Sequence, residues 1–532
     1  MVKKQVFFLS ISSGILLSLP WLFPNMGWTL LVAFVPLLLA ESLLVKKKER
    51  QNSAFFYTAF IAFLIWNIGS TWWIAYVSFS GMMLIAWINA LLMTSIWWAG
   101  SWVRSKYGAS SGFFTLVAFW LTFEFLQYHW AIQWPWLNLG NGLANSVKII
   151  QWYEYTGILG GSFWIWLSNI LIFLLVKQLL DKAFLNAIKL TGYLILVIGL
   201  PVFFSFHLYS GYAEKGTSME IVVLQPNIDP YTQKFSGMSQ EVQVSRLVSL
   251  AESAVSDSTD LIVAPETALP PMWEDSIKFE FQSNLSVSGI IRKFSNVSFI
   301  AGAITKRRFG LNEKVSPTAR QSIDGSFSYD IFNSALLFDQ TDQIQISHKT
   351  ILVSGVEKIP FQKYFSFLEK FTVKLGGISG SLASAREPHV FTDQNGRSIG
   401  PVVCFESAFG EYCTKLVNNG AGLFVVITND GWWKNSPGSW QHFGYSKLRA
   451  IENRRSIARS ANTGISGFIN QHGDVIKKTS LNTYEALSSK ICVNNQITFY
   501  ARHGDYIGRV SMLLSGLIVI YILMKKWIVR GI

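Results

Sequence analysis

The sequence predicts a polytopic α-helical membrane domain joined to a soluble α/β domain with a sandwich architecture. Residues 1–210 and 510–529 are almost entirely apolar, whereas residues 215–505 have the mixed composition of a soluble domain. Only 14% of the 532 residues are charged, against about 25% in soluble globular proteins. Within the polar region, short β-branched runs alternate with amphipathic stretches, which favours an α/β sandwich with a mixed sheet.

The apolar regions divide into eight segments that are long enough to cross a bilayer, since a transmembrane helix needs roughly 17–25 mainly apolar residues. The candidate segments lie near residues 5–23, 27–45, 54–75, 80–103, 111–129, 157–179, 187–209 and 509–529. We therefore expect a membrane domain of about seven helices over residues 1–212. The soluble domain should span residues 213–506, and a last membrane helix with a short tail residues 507–532. No small-residue cleavage site follows the first segment, so we expect it to be retained.

Basic residues predict the orientation of these helices. They cluster after the second, fourth, sixth and eighth segments, at Lys46, Lys47, Lys48, Arg50, Arg104, Lys106, Lys177, Lys182, Lys189, Lys525, Lys526 and Arg530. Loops with such clusters face the cytoplasm by the positive-inside rule. Both termini are therefore expected inside, and the soluble domain outside the cytoplasmic membrane. These clusters account for much of the net charge of +13, so nucleic acid is a poor candidate partner.

Glu266, Lys349 and Cys404 each stand at the end of a short apolar run, a pattern typical of buried strands. On neighbouring strand ends, a thiol, a carboxylate and an ammonium group would supply a nucleophile, a base and a charge stabiliser for acyl transfer through a thioester. Glu266 would take the thiol proton, and Lys349 would stabilise the oxyanion and the thiolate. Taken singly, each residue has an ordinary alternative: a capping glutamate, a solvated lysine or a buried structural cysteine.

Two further carboxylates lie close to these residues along the chain. Glu406 would share the face of Cys404 if the strand continued, and Glu357 lies downstream of Lys349. Either carboxylate could orient Lys349 or tune its charge, and either could be an ordinary salt-bridge partner. His348 is expected to pack or to hydrogen-bond, because its side chain should point away from that of Lys349 along the strand.

Motifs for metal or cofactor binding are absent from the sequence. It contains no His-Glu-x-x-His, no Cys-x-x-Cys, no Walker A loop and no Gly-x-Ser-x-Gly elbow. Neither a metal nor a cofactor is therefore expected. Three cysteines are too few for a disulfide framework. A bridge between Cys404 and Cys413 stays an alternative, while the strand-end position of Cys404 favours a free thiol.

Four motifs follow one another in the soluble domain: Pro-Glu-Thr-Ala-Leu-Pro, His-Lys-x-x-Leu-Val, Pro-Val-Val-Cys-Phe-Glu and Thr-Asn-Asp-Gly-Trp-Trp. Their order resembles that of the carbon–nitrogen hydrolase (nitrilase) superfamily, whose Glu-Lys-Cys triad maps onto Glu266, Lys349 and Cys404. The segment Lys447–Gly467 extends the match, and the resemblance implies an αββα sandwich. The flanking membrane spans, with Trp-Pro-Trp-Leu around Trp136, are similar to the membrane-embedded N-acyltransferases of that superfamily.

The resemblance implies an enzyme of the bacterial cytoplasmic (inner) membrane whose catalytic domain faces the periplasm. Cys404 would take an acyl chain from a membrane phospholipid, with phosphatidylethanolamine as the expected donor. The resulting thioester would be attacked by the α-amino group of the N-terminal diacylglyceryl-cysteine of an apolipoprotein. A two-step course of this kind predicts ping-pong kinetics.

The sequence also departs from the family pattern near the expected substrate. Glu357 is kept without the Pro-Phe-Gly that often precedes it, Phe235 stands where a tryptophan is common, and Phe405 replaces a frequent tyrosine. Trp432 and Trp433 follow a predicted strand and could line a lipid-facing mouth or anchor the domain at the membrane interface. The candidate substrate-binding residues are thus Phe235, Phe405, Trp432, Trp433 and Trp136.

Two other functions stay open at this stage. A membrane-tethered amidase would pass the acyl group to water, although the membrane domain is far larger than a tether requires. A lipid transporter or scaffold with a vestigial hydrolase domain is the non-enzymatic alternative, which the filled triad positions disfavour. Glu124, with His129 nearby, could mark a pathway through the membrane, could hydrogen-bond inside the bundle or could lie near the outer interface.

Overall fold

The computed structural model describes residues 2–46, 52–235, 237–283, 286–341, 343–359 and 381–530. The chain divides into two compact units, one comprising Met1–Tyr212 with His503–Ile532 and the other Ala213–Arg502. Most of the basic cluster predicted after the second span falls on residues 47–51, outside the described residues.

The first unit is built from long apolar helices. Within the described residues, eight helices are long and apolar enough to cross a membrane, which agrees with the eight predicted spans. Numbered along the whole chain, they are α1 (Val2–Leu22), α2 (Val35–Lys46), α3 (Asn52–Thr71), α4 (Phe79–Tyr107), α5 (Ala109–His129), α6 (Tyr153–Leu180), α7 (Phe184–Gly211) and α14 (Tyr506–Arg530). A short 3₁₀ helix, Gly27–Leu31, precedes α2 and completes the second span.

Aromatic rings fill the interior of this helical unit. Phe34 stacks on Trp166 with ring centroids 4.2 Å apart and meets Trp120 edge-on at 5.5 Å. Trp66 stacks on Trp120 at 6.4 Å, and all four rings are fully buried. Large flat side chains bury much apolar surface while losing few rotamers, and they fix how the helices pack.

A chain of buried amides links three of the helices. Asn89 on α4 donates from Nδ2 to Oδ1 of Asn67 on α3 at 2.7 Å. Gln127 on α5 donates from Nε2 to Oδ1 of Asn89 at 2.9 Å, and Nδ2 of Asn67 reaches the carbonyl of Phe63. In an apolar interior such groups must bond to one another, because an unpaired amide is costly.

Glu124 on α5 is held by hydrogen bonds inside the bundle, which is one of the three alternatives that the sequence left open. Its Oε1 accepts from the indole of Trp120 and from the backbone N–H of Leu139, both at 2.9 Å. Its Oε2 accepts from the hydroxyl of Ser162 at 2.5 Å. The ring of His129 packs against Phe125 at 4.4 Å.

The second unit contains two facing β-sheets. The strands of this unit are β1 (Thr217–Gln225), β2 (Leu261–Val263), β3 (Met272–Trp273), β4 (Ser298–Arg308), β5 (Arg320–Gln321), β6 (Ser328–Phe338), β7 (Gln345–His348), β8 (Phe391–Thr392), β9 (Ser398–Val403), β10 (Leu423–Thr428), β11 (Ile457–Ala461), β12 (Gly467–Ile469), β13 (Val475–Lys478) and β14 (Glu485–Val493).

The first sheet has the strand order β14-β1-β2-β4-β6-β5, with β3 beside β4 and β7 beside β6, and the second sheet has the order β13-β12-β11-β10-β9-β8. Strands β1, β2 and β4 run parallel to one another, and so do β9, β10 and β11; β3 is parallel to β4. All other neighbouring strands are antiparallel. Both sheets are therefore mixed.

Helices cover the outer faces of the two sheets. The helices in this part of the chain are α8 (Gln240–Glu252), α9 (Ile277–Ser283), α10 (Val287–Lys293), α11 (Gly410–Asn418), α12 (Pro437–Asn453) and α13 (Phe499–His503), and the first five contact the sheets. Helices α8, α9 and α10 pack on the first sheet in one apolar cluster, and α11 and α12 contact the second. A separate core, including Val223, Val263, Val425 and Ile427, lies between the sheets. The predicted αββα sandwich is thus confirmed.

The predicted elements and the observed ones differ mainly at their ends. The polar composition of the stretch 306–330 predicts a loop or surface hairpin, and the structure has an antiparallel arrangement here in which the stretch ends β4, contains β5 and begins β6. The helical spacing of apolar residues between Val242 and Val255 predicts a helix over residues 238–256. The observed α8 is shorter and begins after Ser239, whose hydroxyl accepts from the N–H of Val242. Local hydrophobic patterns locate elements well, but cross-strand pairing and capping set where they stop.

Replacing Asn89 with leucine removes the central link of the amide chain. Oδ1 of Asn67 and Nε2 of Gln127 would lose a partner, which costs about 1–3 kcal/mol in an apolar interior. We expect a lower thermal-unfolding midpoint for the purified protein in detergent. Ser95→Ala, which removes an exposed hydroxyl from the same helix, is the matched control and should leave the midpoint unchanged. An unchanged midpoint in Asn89→Leu would contradict a stabilising role for the chain.

Candidate active site

Glu266, Lys349 and Cys404 come together in the second unit, each just after a strand. Glu266 follows β2, Lys349 follows β7 and Cys404 follows β9. The prediction that these strands are neighbours is wrong: β4 and β6 lie between β2 and β7, and β9 belongs to the facing sheet. The residues meet because loops from both sheets converge, as their contacts show.

Gly302 on β4 allows the loop that carries Glu266 to lie against the sheet. A Cβ atom at this position would be 2.6 Å from Cα of Glu266 and 2.5 Å from the nitrogen of Thr267. The N–H of Gly302 donates to the carbonyl of Pro265, and its own carbonyl accepts from Leu269, both at 3.0 Å. Thr267 has a left-handed backbone with φ of 50°. Glu266 therefore sits on a tightly constrained turn.

Lys349 lies between two carboxylates. Its Nζ is 2.8 Å from Oε1 of Glu357 and 3.4 Å from Oε1 of Glu266, and the lysine is 1% exposed. Burial by itself lowers the pKa of Lys349, but the charges of Glu357, Glu266 and Cys404 outweigh it and raise the pKa. The lysine is therefore an ammonium group at neutral pH. Of the two carboxylates that the sequence offered as partners of Lys349, Glu357 and Glu406, it is Glu357 that contacts the ammonium group.

Asn333 on β6 completes this cluster and was not identified from the sequence. Its Nδ2 donates to Oε1 of Glu266 at 2.7 Å and to Oε1 of Glu357 at 2.9 Å. The other oxygen of Glu357 accepts from the N–H of Val353 at 2.8 Å. An asparagine at the start of a run with strand-like composition was the only signal in the sequence, and it does not say which partners the side chain reaches.

Cys404 begins a 3₁₀ turn, Cys404–Ala408, directly after β9. Its backbone is left-handed, with φ of 54°, a conformation that a residue with a side chain adopts at a cost and that is frequent at functional sites. Burial raises the pKa of its thiol, as do the charges of Glu266 and Asp430, while Lys349 and the hydroxyl of Thr428 act in the opposite direction. The net pKa is raised, so the resting group is a thiol.

Glu406 does not share a strand face with Cys404, because the strand ends at Val403. It is fully buried and accepts three backbone N–H groups, from Val403 at 2.8 Å, Thr350 at 2.6 Å and Ile351 at 3.2 Å. Burial raises its pKa to about 7, although the bonds from Val403 and Thr350 lower it. Glu406 thus connects the turn of Cys404 to the segment that follows Lys349.

Lys234 is a second lysine beside Glu266 that sequence reasoning did not single out. Its Nζ donates to the carbonyl of Glu266 at 3.2 Å and to the hydroxyl of Thr267 at 2.6 Å. Burial lowers its pKa to about 8, partly opposed by the charge of Glu266. The two contacts hold the Glu266 turn from its backbone side.

Two of the aromatic candidates lie together at the surface of this unit. Phe235 is 47% exposed and stacks on Trp432 at 5.7 Å. The hydroxyl of Tyr231 donates to the carbonyl of Trp432 at 2.7 Å. These rings form an apolar surface that is open to solvent.

The other aromatic candidates have different surroundings. Phe405 is buried and packs edge-on against Phe409 at 5.1 Å. Trp433 lies edge-on to the ring of His442 at 5.4 Å. Trp136 belongs to the helical unit, where it is 1% exposed and packs on Trp73 at 5.3 Å. Phe405 and Trp136 are therefore packing residues in this structure.

The structure also shows the state of the cysteines and whether side chains are grouped for metal binding. Cys404, Cys413 and Cys492 are all free thiols, so the bridge considered between the first two is not formed. Among the residues that the structure describes, no three His, Cys, Asp or Glu side chains are grouped so that they could hold a metal ion.

Two family models match the chain. Residues 13–171 match the model described as the apolipoprotein N-acyltransferase N-terminal domain, and residues 221–494 match the carbon-nitrogen hydrolase model. An apolipoprotein N-acyltransferase from Chlorobaculum tepidum is 28% identical, covering 98% of this chain and 97% of its own length. Another from Geobacter metallireducens is 26% identical, covering 95% and 92%. A solved carbon–nitrogen hydrolase superfamily protein from Xanthomonas campestris is 15% identical with a TM-score of 0.33, over 52% of this chain and 91% of that one.

Gly302→Ala should displace the Glu266 turn. Its Cβ atom would overlap backbone atoms, which cannot swing aside as a side chain does, and overpacking of this kind costs about 1–3 kcal/mol. We expect a lower unfolding midpoint. Gly289→Ala on α10 is the control, because no atom lies within 4 Å of where its Cβ would be and alanine favours helices. A midpoint for Gly302→Ala as high as that of the control would argue against the constraint.

The raised pKa of Cys404 predicts how its alkylation depends on pH. Below the pKa the thiolate fraction rises about tenfold per pH unit, so labelling by iodoacetamide should be slow at pH 7 and still rising at pH 9. The measurement is the rate of mass gain in a Cys413→Ala/Cys492→Ala background, which leaves Cys404 as the single thiol. A rate that reaches a plateau below pH 7 would instead indicate a resting thiolate paired with Lys349.

Proposed function

Since the chain belongs to the carbon–nitrogen hydrolase family, we propose that its buried Glu-Lys-Cys cluster transfers a fatty acyl chain through a thioester on Cys404. The donor is a membrane phospholipid, phosphatidylethanolamine, and the acceptor is the α-amino group of the N-terminal diacylglyceryl-cysteine of an apolipoprotein. This reaction is the final step of lipoprotein maturation. The observation that carries the proposal is this cluster within a chain that is similar over its whole length, membrane helices included, to apolipoprotein N-acyltransferases.

The first half-reaction needs a base, because the raised pKa leaves Cys404 as a thiol. Glu266, whose carboxylate is oriented by Asn333, accepts the thiol proton while sulfur attacks the ester carbonyl. The ammonium group of Lys349 stabilises the negative charge that develops on the carbonyl oxygen. The carbon–oxygen bond then breaks, and the lysophospholipid leaves with the proton held by Glu266.

In the second half-reaction the same groups transfer the acyl chain from Cys404 to the acceptor. The amine of the acceptor attacks the thioester, Glu266 takes a proton from the amine, and the carbon–sulfur bond breaks as the amide forms. The thiolate that leaves is stabilised by Lys349 and then takes the proton from Glu266. Glu357 and Asn333 support both steps, because their contacts keep Lys349 and Glu266 in place.

The chain is a multi-pass membrane protein, and we assign it to the bacterial cytoplasmic membrane with the second unit on the periplasmic side. An even number of spans, if all eight candidate helices cross, supports termini on one side, and the basic residues that follow alternate spans favour the cytoplasm for that side. The partly exposed rings of Phe235, Trp432 and Trp433 are suited to contact with lipid substrates. This assignment fits a reaction whose two substrates are both anchored in lipid.

Replacing Cys404 with alanine should abolish the acyl-enzyme. Detergent-purified protein incubated with phosphatidylethanolamine should gain the mass of one acyl chain, and neutral hydroxylamine should release it. Cys492→Ala removes a half-buried thiol outside the cluster and should behave as the wild type. Glu266→Gln should slow acylation by about 10²–10⁴-fold, the usual contribution of a general base.

Two results would overturn the proposal. An acyl adduct that persists in Cys404→Ala would exclude this nucleophile. Steady release of free fatty acid, with an added diacylated lipopeptide left unmodified, would show that water is the acceptor and that the enzyme is a membrane amidase.

A further inference from the structure

A fully buried polar cluster contacts the backbone carbonyl of Cys404. It consists of Ser407, Asp430, His442 and Arg459, each with 0% exposure, and we call it the carbonyl clamp. The hydroxyl of Ser407 donates to the carbonyl oxygen of Cys404 at 2.8 Å, and Nε2 of His442 lies 3.0 Å from the same oxygen. Two side chains thus converge on one peptide group, which belongs to the proposed nucleophile.

The remaining members of the clamp determine how His442 bonds. Nη2 of Arg459 lies 2.8 Å from Oδ2 of Asp430 and 2.9 Å from Nδ1 of His442. The carbonyl of Cys404 can only accept, so its contact with His442 requires a proton on Nε2. Nε2 also lies 2.8 Å from the hydroxyl oxygen of Ser407, which accepts from Nε2 while its own proton is donated to the same carbonyl. In a neutral ring Nδ1 then carries no proton and accepts from Arg459. If the ring is protonated, Nδ1–H bonds Asp430, 2.9 Å away, and Nε2 is again a donor.

The clamp matters because the backbone of Cys404 is left-handed, with φ of 54°. A residue with a side chain keeps this conformation only where its surroundings impose it. Holding the carbonyl fixes the peptide plane that follows the Cα atom of Cys404, since the peptide group is rigid. That plane and the end of β9 together set the direction of the Cα–Cβ bond, and hence where the thiol can lie.

We propose that His442 and Ser407 are positioning residues for acyl transfer, which hold the carbonyl of Cys404 so that its sulfur returns to the same place in both half-reactions. This inference rests on the proposed function. The sulfur must face an ester carbonyl when it attacks and must leave the thioester from the same position. Trp433, which packs on the ring of His442, helps to keep that ring in place.

The test compares variants that remove or keep the donor. Ser407→Ala and His442→Leu each delete one hydrogen bond to the carbonyl, whereas His442→Gln keeps an N–H at a similar reach. Ser460→Ala is the matched control, because it removes a buried hydroxyl that donates to a different carbonyl, that of Leu224. We would measure four quantities for each variant: the unfolding midpoint, the rate of acyl-enzyme formation, the KM for phosphatidylethanolamine and the rate of Cys404 alkylation.

We expect acyl-enzyme formation to fall about tenfold in Ser407→Ala and about 100-fold in His442→Leu, because small displacements of a reacting atom have effects of this size. KM should stay unchanged, and His442→Gln should recover most of the rate. A general loss of stability would instead lower the midpoint and would not be recovered by glutamine.

Three results would overturn the inference: an unchanged acylation rate in folded Ser407→Ala, a loss in His442→Leu that His442→Gln does not restore, or an equal loss in Ser460→Ala. If His442→Leu does not fold, Ser407→Ala decides. If even the wild type forms no thioester, the proposed function fails, but alkylation of Cys404 still reports on the clamp. In that case the inference predicts that Cys404 is alkylated more slowly in Ser407→Ala than in Ser460→Ala, and equal rates would overturn it.

Discussion

The candidate site depends on one ammonium group shared by two carboxylates, of which one is buried and the other partly buried. Lys349 lies between Glu357 and Glu266, and Asn333 donates to both carboxylates. Without the lysine, two negative charges would face each other away from water, which is unfavourable. Burial, together with the charges of Glu266 and Asp430, raises the pKa of Cys404, so its thiol stays protonated at rest. Transfer of the thiol proton to Glu266 then leaves the total charge of the cluster unchanged, so the reaction requires no further burial of charge.

Backbone constraints bring these groups together. Gly302 admits the Glu266 turn, Glu406 connects the Cys404 turn to the segment after Lys349, and Lys234 holds the Glu266 turn from its backbone side. Each contact joins segments that are far apart in the chain. Side chains positioned in this way lose little freedom when a substrate arrives, which is how preorganised sites lower a barrier. The carbonyl clamp extends the same design to the peptide group of Cys404.

The helical unit satisfies its polar groups internally. Glu124 is bonded to Trp120, Leu139 and Ser162, and the amide chain of Asn67, Asn89 and Gln127 is likewise internal. An acidic residue within a span can mark a transport pathway, but here its oxygens are occupied by neighbours in the bundle. This arrangement gives no support to the transporter alternative, and it suits a domain that holds an enzyme in the bilayer.

Local patterns in the sequence predicted the eight spans and an α/β sandwich, whereas the αββα arrangement and the Glu-Lys-Cys assignment came from four ordered motifs that resemble the carbon–nitrogen hydrolase superfamily. Spans are recognised from hydropathy over about 20 residues, and strands from β-branched runs that stop at polar groups. Both signals depend only on residues that are close together in the sequence. Tertiary structure alone decided that β2 and β7 are separated by two strands, that Asn333 bridges the carboxylates, and that Glu406 binds backbone N–H groups. It also decided that His442 reaches the Cys404 carbonyl. These contacts join residues distant along the chain, and their partners follow from sheet order and loop convergence, which no local pattern encodes.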